Sequence, residues 1–265
     1  MTQPLPRRRR RYPAAIKTVF GTVATRILPQ CRYDRMIMLA GHMRCGSTAL
    51  SNILCSRNDI SGQGESHLAY RTQTDLGVLA MSLTNRRVFK PTAPFLFDKI
   101  LHNQYDQDVE EAFFHARAIF LAREPAASIA SIVSLAERAS LPRFRTAETA
   151  ARYYVDRMNA MAALWNRFPP ERRIALTHDM LIRDPDSALS AISRALAITP
   201  ALTNHYDPDR TPWRRGGGDP VNANRHSRIE PELRRAPVAP PAIDHDLWDA
   251  CLQAFAAFER STSTD

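Results

Sequence analysis

Met36-Ile37-Met38-Leu39-Ala40-Gly41-His42-Met43-Arg44-Cys45-Gly46-Ser47-Thr48 is the stretch on which the fold turns. An apolar run ends in a glycine-flanked turn, and Ala49-Leu50-Ser51-Asn52-Ile53-Leu54 continues in helical spacing. Such a run reads as a strand buried on both faces, the kind found in parallel sheets. A strand, a tight turn and a helix start together aim backbone N–H groups and the positive end of a helix dipole at one point, which suits an anion. The spacing nearly matches the phosphate loop G-x-x-x-x-G-K-[ST], but Ser47 stands where that motif has lysine. The cation has moved to Arg44, at the loop apex.

Around this segment, short apolar runs alternate with helical stretches, the pattern of βαβ units. Strands are expected at Met36–Ala40, Arg87–Lys90, Ala118–Leu121 and Ile174–Thr177, with a weaker one near Phe95–Asp98. Helices are expected at 47–57, 66–83, 108–115, 125–139, 146–168, 186–197 and 244–260. The fold class is therefore α/β: a three-layer, phosphate-loop-type fold whose central, mostly parallel sheet of four to five strands is flanked by helices. Residues 1–30 form a basic N-terminal segment and 31–265 the main domain, with an irregular basic loop at about 200–241 before the last helix. In open parallel sheets ligands bind at the carboxyl ends of the strands, so the residues after each strand carry the functional reading.

The chain has 265 residues, 44% hydrophobic and 24% charged, which excludes a disordered chain or a disulfide-stapled miniprotein. The net charge is +9, but Arg7 to Arg11 supply five of those charges, so the remainder is only mildly basic. Cys31, Cys45, Cys55 and Cys251 form no zinc-ligand spacing and fit a reducing compartment. The stretch Pro13–Leu28 is cut by Lys17 and Arg26 and falls short of the roughly 20 apolar residues that cross a bilayer. It reads either as a solvated N-terminus or as an amphipathic segment on an anionic membrane surface through residues 7–28.

A second anion site follows the strand Ala118–Leu121, where the chain continues Ala122-Arg123-Glu124-Pro125. Pro125 suits a first helical position. Ser131, eight residues after Arg123, falls two turns into that helix. An arginine fork plus a hydroxyl makes a phosphate clamp.

With both sites in view, the chain resembles the sulfotransferases that use 3′-phosphoadenosine 5′-phosphosulfate (PAPS). Arg44-Cys45-Gly46-Ser47-Thr48 is similar to their 5′-phosphosulfate loop, Lys/Arg-x-Gly-Ser/Thr-Ser/Thr, and Arg123-Glu124-Pro125 with Ser131 to their 3′-phosphate element. Leu176–Pro185 resembles their strand-to-helix segment ending in Asp-Pro, and Arg214-Arg215-Gly216 their C-terminal basic-basic-Gly element, although Gly217-Gly218-Asp219-Pro220 departs from the cytosolic pattern toward bacterial relatives. The resemblance implies metal-free, in-line transfer of a sulfuryl group from PAPS to an acceptor hydroxyl or amine. It assigns the donor to Arg44, Cys45, Gly46, Ser47, Thr48, Arg123, Ser131, Arg214, Arg215 and Gly216.

Two residues compete for the general base. Glu65 lies 21 positions after Arg44 in a Gly-Glu context like that of tyrosylprotein sulfotransferases, whereas His102 follows Lys99 loosely as in the Lys-x-His element of cytosolic enzymes. Lys99, one of only three lysines, is expected at the sulfuryl group, Lys90 at the same rim, and His42 and His67 beside the acceptor. The acceptor is expected to be a small molecule or a glycan, including lipid-linked compounds, and residence cytoplasmic or membrane-peripheral. Two rival readings remain: a nucleotide kinase or ATPase, which needs the missing loop lysine, and a basic nucleic-acid-binding protein, which leaves the paired anion sites unexplained.

Overall fold

The computed structural model describes residues 14–207, 226–231 and 238–262. After helix α1 (Ala14–Ile27) come β1 (Met36–Gly41), α2 (Ser47–Ser56), β2 (Ile60–Ser61), α3 (Thr74–Asn85), β3 (Phe95–Ile100) and β4 (Arg117–Ala122). Then follow α4 (Pro125–Arg138), α5 (Ala147–Trp165), β5 (Arg173–Thr177), α6 (His178–Arg183), α7 (Pro185–Ala195) and α8 (His245–Thr262). The strands form one parallel sheet in the order β2-β3-β1-β4-β5.

Alternate side chains of each strand enter opposite layers, the period-two rule of a pleated sheet. Met36, Met38 and Ala40 face a core shared with α3, α4, α5 and α8; Ile37 and Leu39 face one shared with α2, α6 and α7. Six consecutive buried residues in β1 follow from cover on both faces. The chain leaves β1 toward β2 and β3 on one side and later crosses to β4 and β5 on the other. The carboxyl end of β1 is thus the switch point, where two loops diverge and open a crevice.

Three expectations need correction. Arg87–Lys90 is not a strand: Val88 N–H closes the end of α3 by bonding Leu83 O, and Arg87 has φ 60°. The weaker candidate is instead the interior strand β3, between β2 and β1. The helix expected over 66–83 begins only at Thr74, because residues 62–73 are drawn along the sheet edge by side-chain bonds described below. The segment at 108–115 is a 3-10 turn, Glu111–His115.

Candidate active site

The loop after β1 carries two left-handed residues, Arg44 at φ 68° and Gly46 at φ 94°. This alternation curls the backbone into a concave turn that points N–H groups inward. Gly46 is the N-cap of α2, and a Cβ there would stand 2.6 Å from the ring of His178 at the start of α6. Glycine is required for both space and backbone. Cys45 departs from its expected role: its N–H closes the turn onto His42 O at 3.3 Å, and its thiol is buried.

The second strand end adjoins the first. Arg44 Nε donates to Ser131 Oγ on α4 at 2.9 Å, joining the two anion elements directly. The Glu124 carboxylate caps α4 by accepting from Ala127 N–H at 2.8 Å. His42 lies between the loops rather than beside an acceptor. Its Nε2 accepts from Arg123 N–H at 3.0 Å while Nδ1 faces Met43 O at 2.8 Å, so the ring is neutral with its proton on Nδ1. Burial drives its pKa down to about 4.

Beneath both loops, α5 contributes three side chains that motif reading missed. Arg157 is fully buried, donates to Gly41 O at 2.8 Å and Ile100 O at 3.0 Å, and pairs with Asp106 at 2.8 Å. Tyr153 Oη donates to Leu101 O at 2.6 Å and accepts from Met43 N–H at 2.9 Å. Tyr154 Oη donates to Arg123 O at 2.9 Å. One helix thereby ties the ends of β1, β3 and β4. The only sequence signal was a Tyr-Tyr pair and an arginine on a helix otherwise facing the core.

On the other side, β3 presents Asp98 and Lys99 to opposite layers. Asp98 accepts from Ser66 N–H at 2.9 Å, from Ser66 Oγ and from Tyr70 Oη at 2.5 Å, while Lys99 N–H reaches Gly64 O at 3.3 Å. These bonds hold the segment that carries Glu65. Burial raises the Asp98 pKa to about 6 even against the bonds from Ser66 and Tyr70.

Glu65, His67, His102 and Lys99 form one cluster. Glu65 Oε1 is 3.4 Å from His67 Nδ1 and 4.0 Å from His102 Nε2. Burial pushes the Glu65 carboxyl up, but the hydrogen bond and charge of His67, with Lys99 and His102, outweigh it and hold it below the usual range. His67 is raised by its bond to Glu65, whereas His102 is lowered by burial. Buried Lys99 is lowered by desolvation, opposed first by Glu65 and then by Cys45. Lys90 is elsewhere: Nζ binds the carbonyls of Cys55 at 2.7 Å, Ile60 at 3.0 Å and Arg57, clamping the end of α2. Arg214, Arg215 and Gly216 lie outside the described residues.

A parallel α/β sheet with a left-handed turn after β1 and an arginine-bearing end of β4 at its switch point belongs to the open α/β folds that bind ligands at that edge. Within that class, residues 74–201 match the model of a sulfotransferase family. The matched span includes β4, α4 and α5 but begins after the β1 loop. In structure the chain resembles a sulfotransferase domain from the Synechococcus PCC 7002 olefin synthase, at 20% identity and TM-score 0.56 over 83% of this chain and 94% of that one. A sulfotransferase domain from the curacin biosynthetic pathway aligns at 16% identity and TM-score 0.49, over 84% and 96% of the respective chains. A search of curated proteins found no match. Just under half of the chain is thus similar to a sulfotransferase family, on a fold shared with the olefin synthase domain.

Proposed function

We propose that the protein transfers a sulfuryl group from PAPS to a hydroxyl or amine of a polar acceptor, in the first instance a carbohydrate or lipid-linked glycan. The observation that carries this reading is the Arg44–Ser131 hydrogen bond of 2.9 Å, which makes the two anion elements parts of one crevice. A donor with a phosphate at each end of its ribose requires that proximity. The αL turns at Arg44 and Gly46 fit a 5′-phosphosulfate, and Arg123 with Ser131 fits a 3′-phosphate.

In this reading Arg44 and the N–H groups at the head of α2 neutralise charge on the leaving phosphate. Lys99 lies toward the transferred group as a point charge. Glu65, held ionised by its neighbours, takes the acceptor proton as the new bond from sulfur to the acceptor oxygen or nitrogen forms and the bond to the leaving phosphate oxygen breaks. The histidines at 67 and 102 and Gln63, which accepts from Arg86 at 3.2 Å, give this side of the crevice a polar lining suited to hydroxyl-rich acceptors.

Titration with adenosine 3′,5′-bisphosphate tests the donor assignment. Arg44→Ala and Arg123→Ala should each weaken binding about 10- to 100-fold, the worth of a charge-assisted bond; unchanged affinity in both would remove the assignment. A labelled-donor screen of glycans and lipids then tests transfer. Loss in Glu65→Gln is expected, and transfer that survives there but disappears in His102→Ala would move the base to His102.

A further inference from the structure

We infer that α1 is a docking surface for an anionic lipid bilayer, fixed to the body of the enzyme. The helix is mounted on α3 by an unusually close crossing: a Cβ on Gly77 would stand 2.0 Å from Gly21 O and 2.6 Å from Thr25 Oγ1. Thr25 Oγ1 also donates to Gln73 O at 3.3 Å, and Gln73 Nε2 to Cys31 O at 3.3 Å. Gly21 and Ala24 are buried on this side. The helix therefore has a settled inner face.

Its outer face is apolar. Val19, Phe20, Val23 and Ile27 are 63%, 54%, 48% and 69% exposed, half of the large hydrophobic side chains that stand exposed among the described residues. At 3.6 residues per turn they occupy an arc of about 100°. Exposed Arg26 borders that arc.

Charge selects the occupant. In the sequence, Arg7 to Arg11 come two residues before α1 begins at Ala14, so the chain carries five cations close along its length to the apolar helix face. A basic run joined to an apolar helix face matches an anionic headgroup layer above acyl chains, whereas a second copy of this chain would bring the same arginines together. No helix among the described residues is long and apolar enough to cross a membrane, so the contact is peripheral. Since α1 is bound to Gln73, at the end of the segment that holds Glu65, docking would bring the bilayer to the α1–α3 side of the molecule. The inference does not depend on the acceptor's identity.

Flotation of the full chain with vesicles tests it. Binding is expected to vesicles of equal parts phosphatidylglycerol and phosphatidylcholine, to fall with added salt, and to be at least tenfold weaker on phosphatidylcholine alone. The double variant Phe20→Ser/Ile27→Ser and a variant with Arg7 to Arg11 replaced by Gln should each lose about tenfold or more, with unfolding midpoints unchanged. Equal partitioning of wild type and both variants overturns the inference. So does a wild-type dimer in sedimentation that the Phe20→Ser/Ile27→Ser variant dissociates, since the face would then join two copies. Bisphosphate titration of the same variants reads the donor site separately, so failure of one proposal does not pass for failure of the other.

Discussion

The wall formed by Gly41–Thr48 and Arg123–Ser131 is held largely through backbone atoms, whereas the opposite wall, Gly62–Tyr70, depends on one buried carboxylate. Arg157, Tyr153 and Tyr154 from α5, with His42 of the loop itself, bind carbonyls or N–H groups of the first wall and so fix its backbone. Asp98 gathers Ser66 and Tyr70 and so positions Glu65. In the proposed function, the first wall would serve the donor and the second the acceptor.

The largest effect should come from α5. Arg157→Leu leaves Asp106 charged and two strand-end carbonyls without their donor, and should cost about 3–5 kcal/mol in denaturant unfolding. Restoring part of that loss with Asp106→Leu in addition would attribute it to the stranded charge. A cost within experimental error would mean that the three strand ends do not need the helix.

Next in size is an acid effect from His42, whose native pKa of about 4 lies below its ordinary 6.5. The unfolded chain then binds the extra proton, so the stabilisation is complete above pH 6.5 and is lost as pH falls toward 4, about 3 kcal/mol in all. Asp98 runs oppositely: with its pKa raised from 3.8 to about 6, its contribution falls as pH rises through that window. His42→Gln keeps an acceptor for Arg123 N–H without titrating. Unfolding curves at pH 7 and pH 4.5 should therefore differ less in the variant than in wild type; an identical difference would place the acid sensitivity elsewhere.

For the opposite wall, Asp98→Asn should lower kcat about 10- to 100-fold by misplacing Glu65, while the affinity for adenosine 3′,5′-bisphosphate shifts less than about threefold. A parallel loss of both would show that the walls are not separable. The smallest expected change is Lys90→Met, which removes the clamp on the end of α2. It should cost about 1–2 kcal/mol of stability and leave bisphosphate binding unchanged; lost binding would return Lys90 to the site.

The α/β class, the strands β1, β4 and β5 and the helices α2, α4, α5 and α7 could be read from apolar runs, Glu124-Pro125 and Asp184-Pro185, because those signals are local, whereas the short α6 was not expected. Arg44, Gly46 and Ser131 were legible for the same reason: a turn before a helix and a hydroxyl two turns into one need only nearby residues. Strand β3 was underrated because its buried Asp98 and Lys99 break the apolar run. The misread strand at Arg87–Lys90 and the misplaced start of α3 share one cause, since long-range bonds to Lys90 and Asp98 override local pattern.

What the amino-acid order determined alone was the kind of turn that ends β1 and β4, since φ angles, helix caps and apolar runs are set by neighbours along the chain. Only the folded molecule decided that Arg44 meets Ser131, that His42 joins two loops and that Arg157 ties strand ends 57 and 116 residues away. Those contacts depend on the order in which strands lie side by side, and on which layer each helix enters, neither of which a local signal contains.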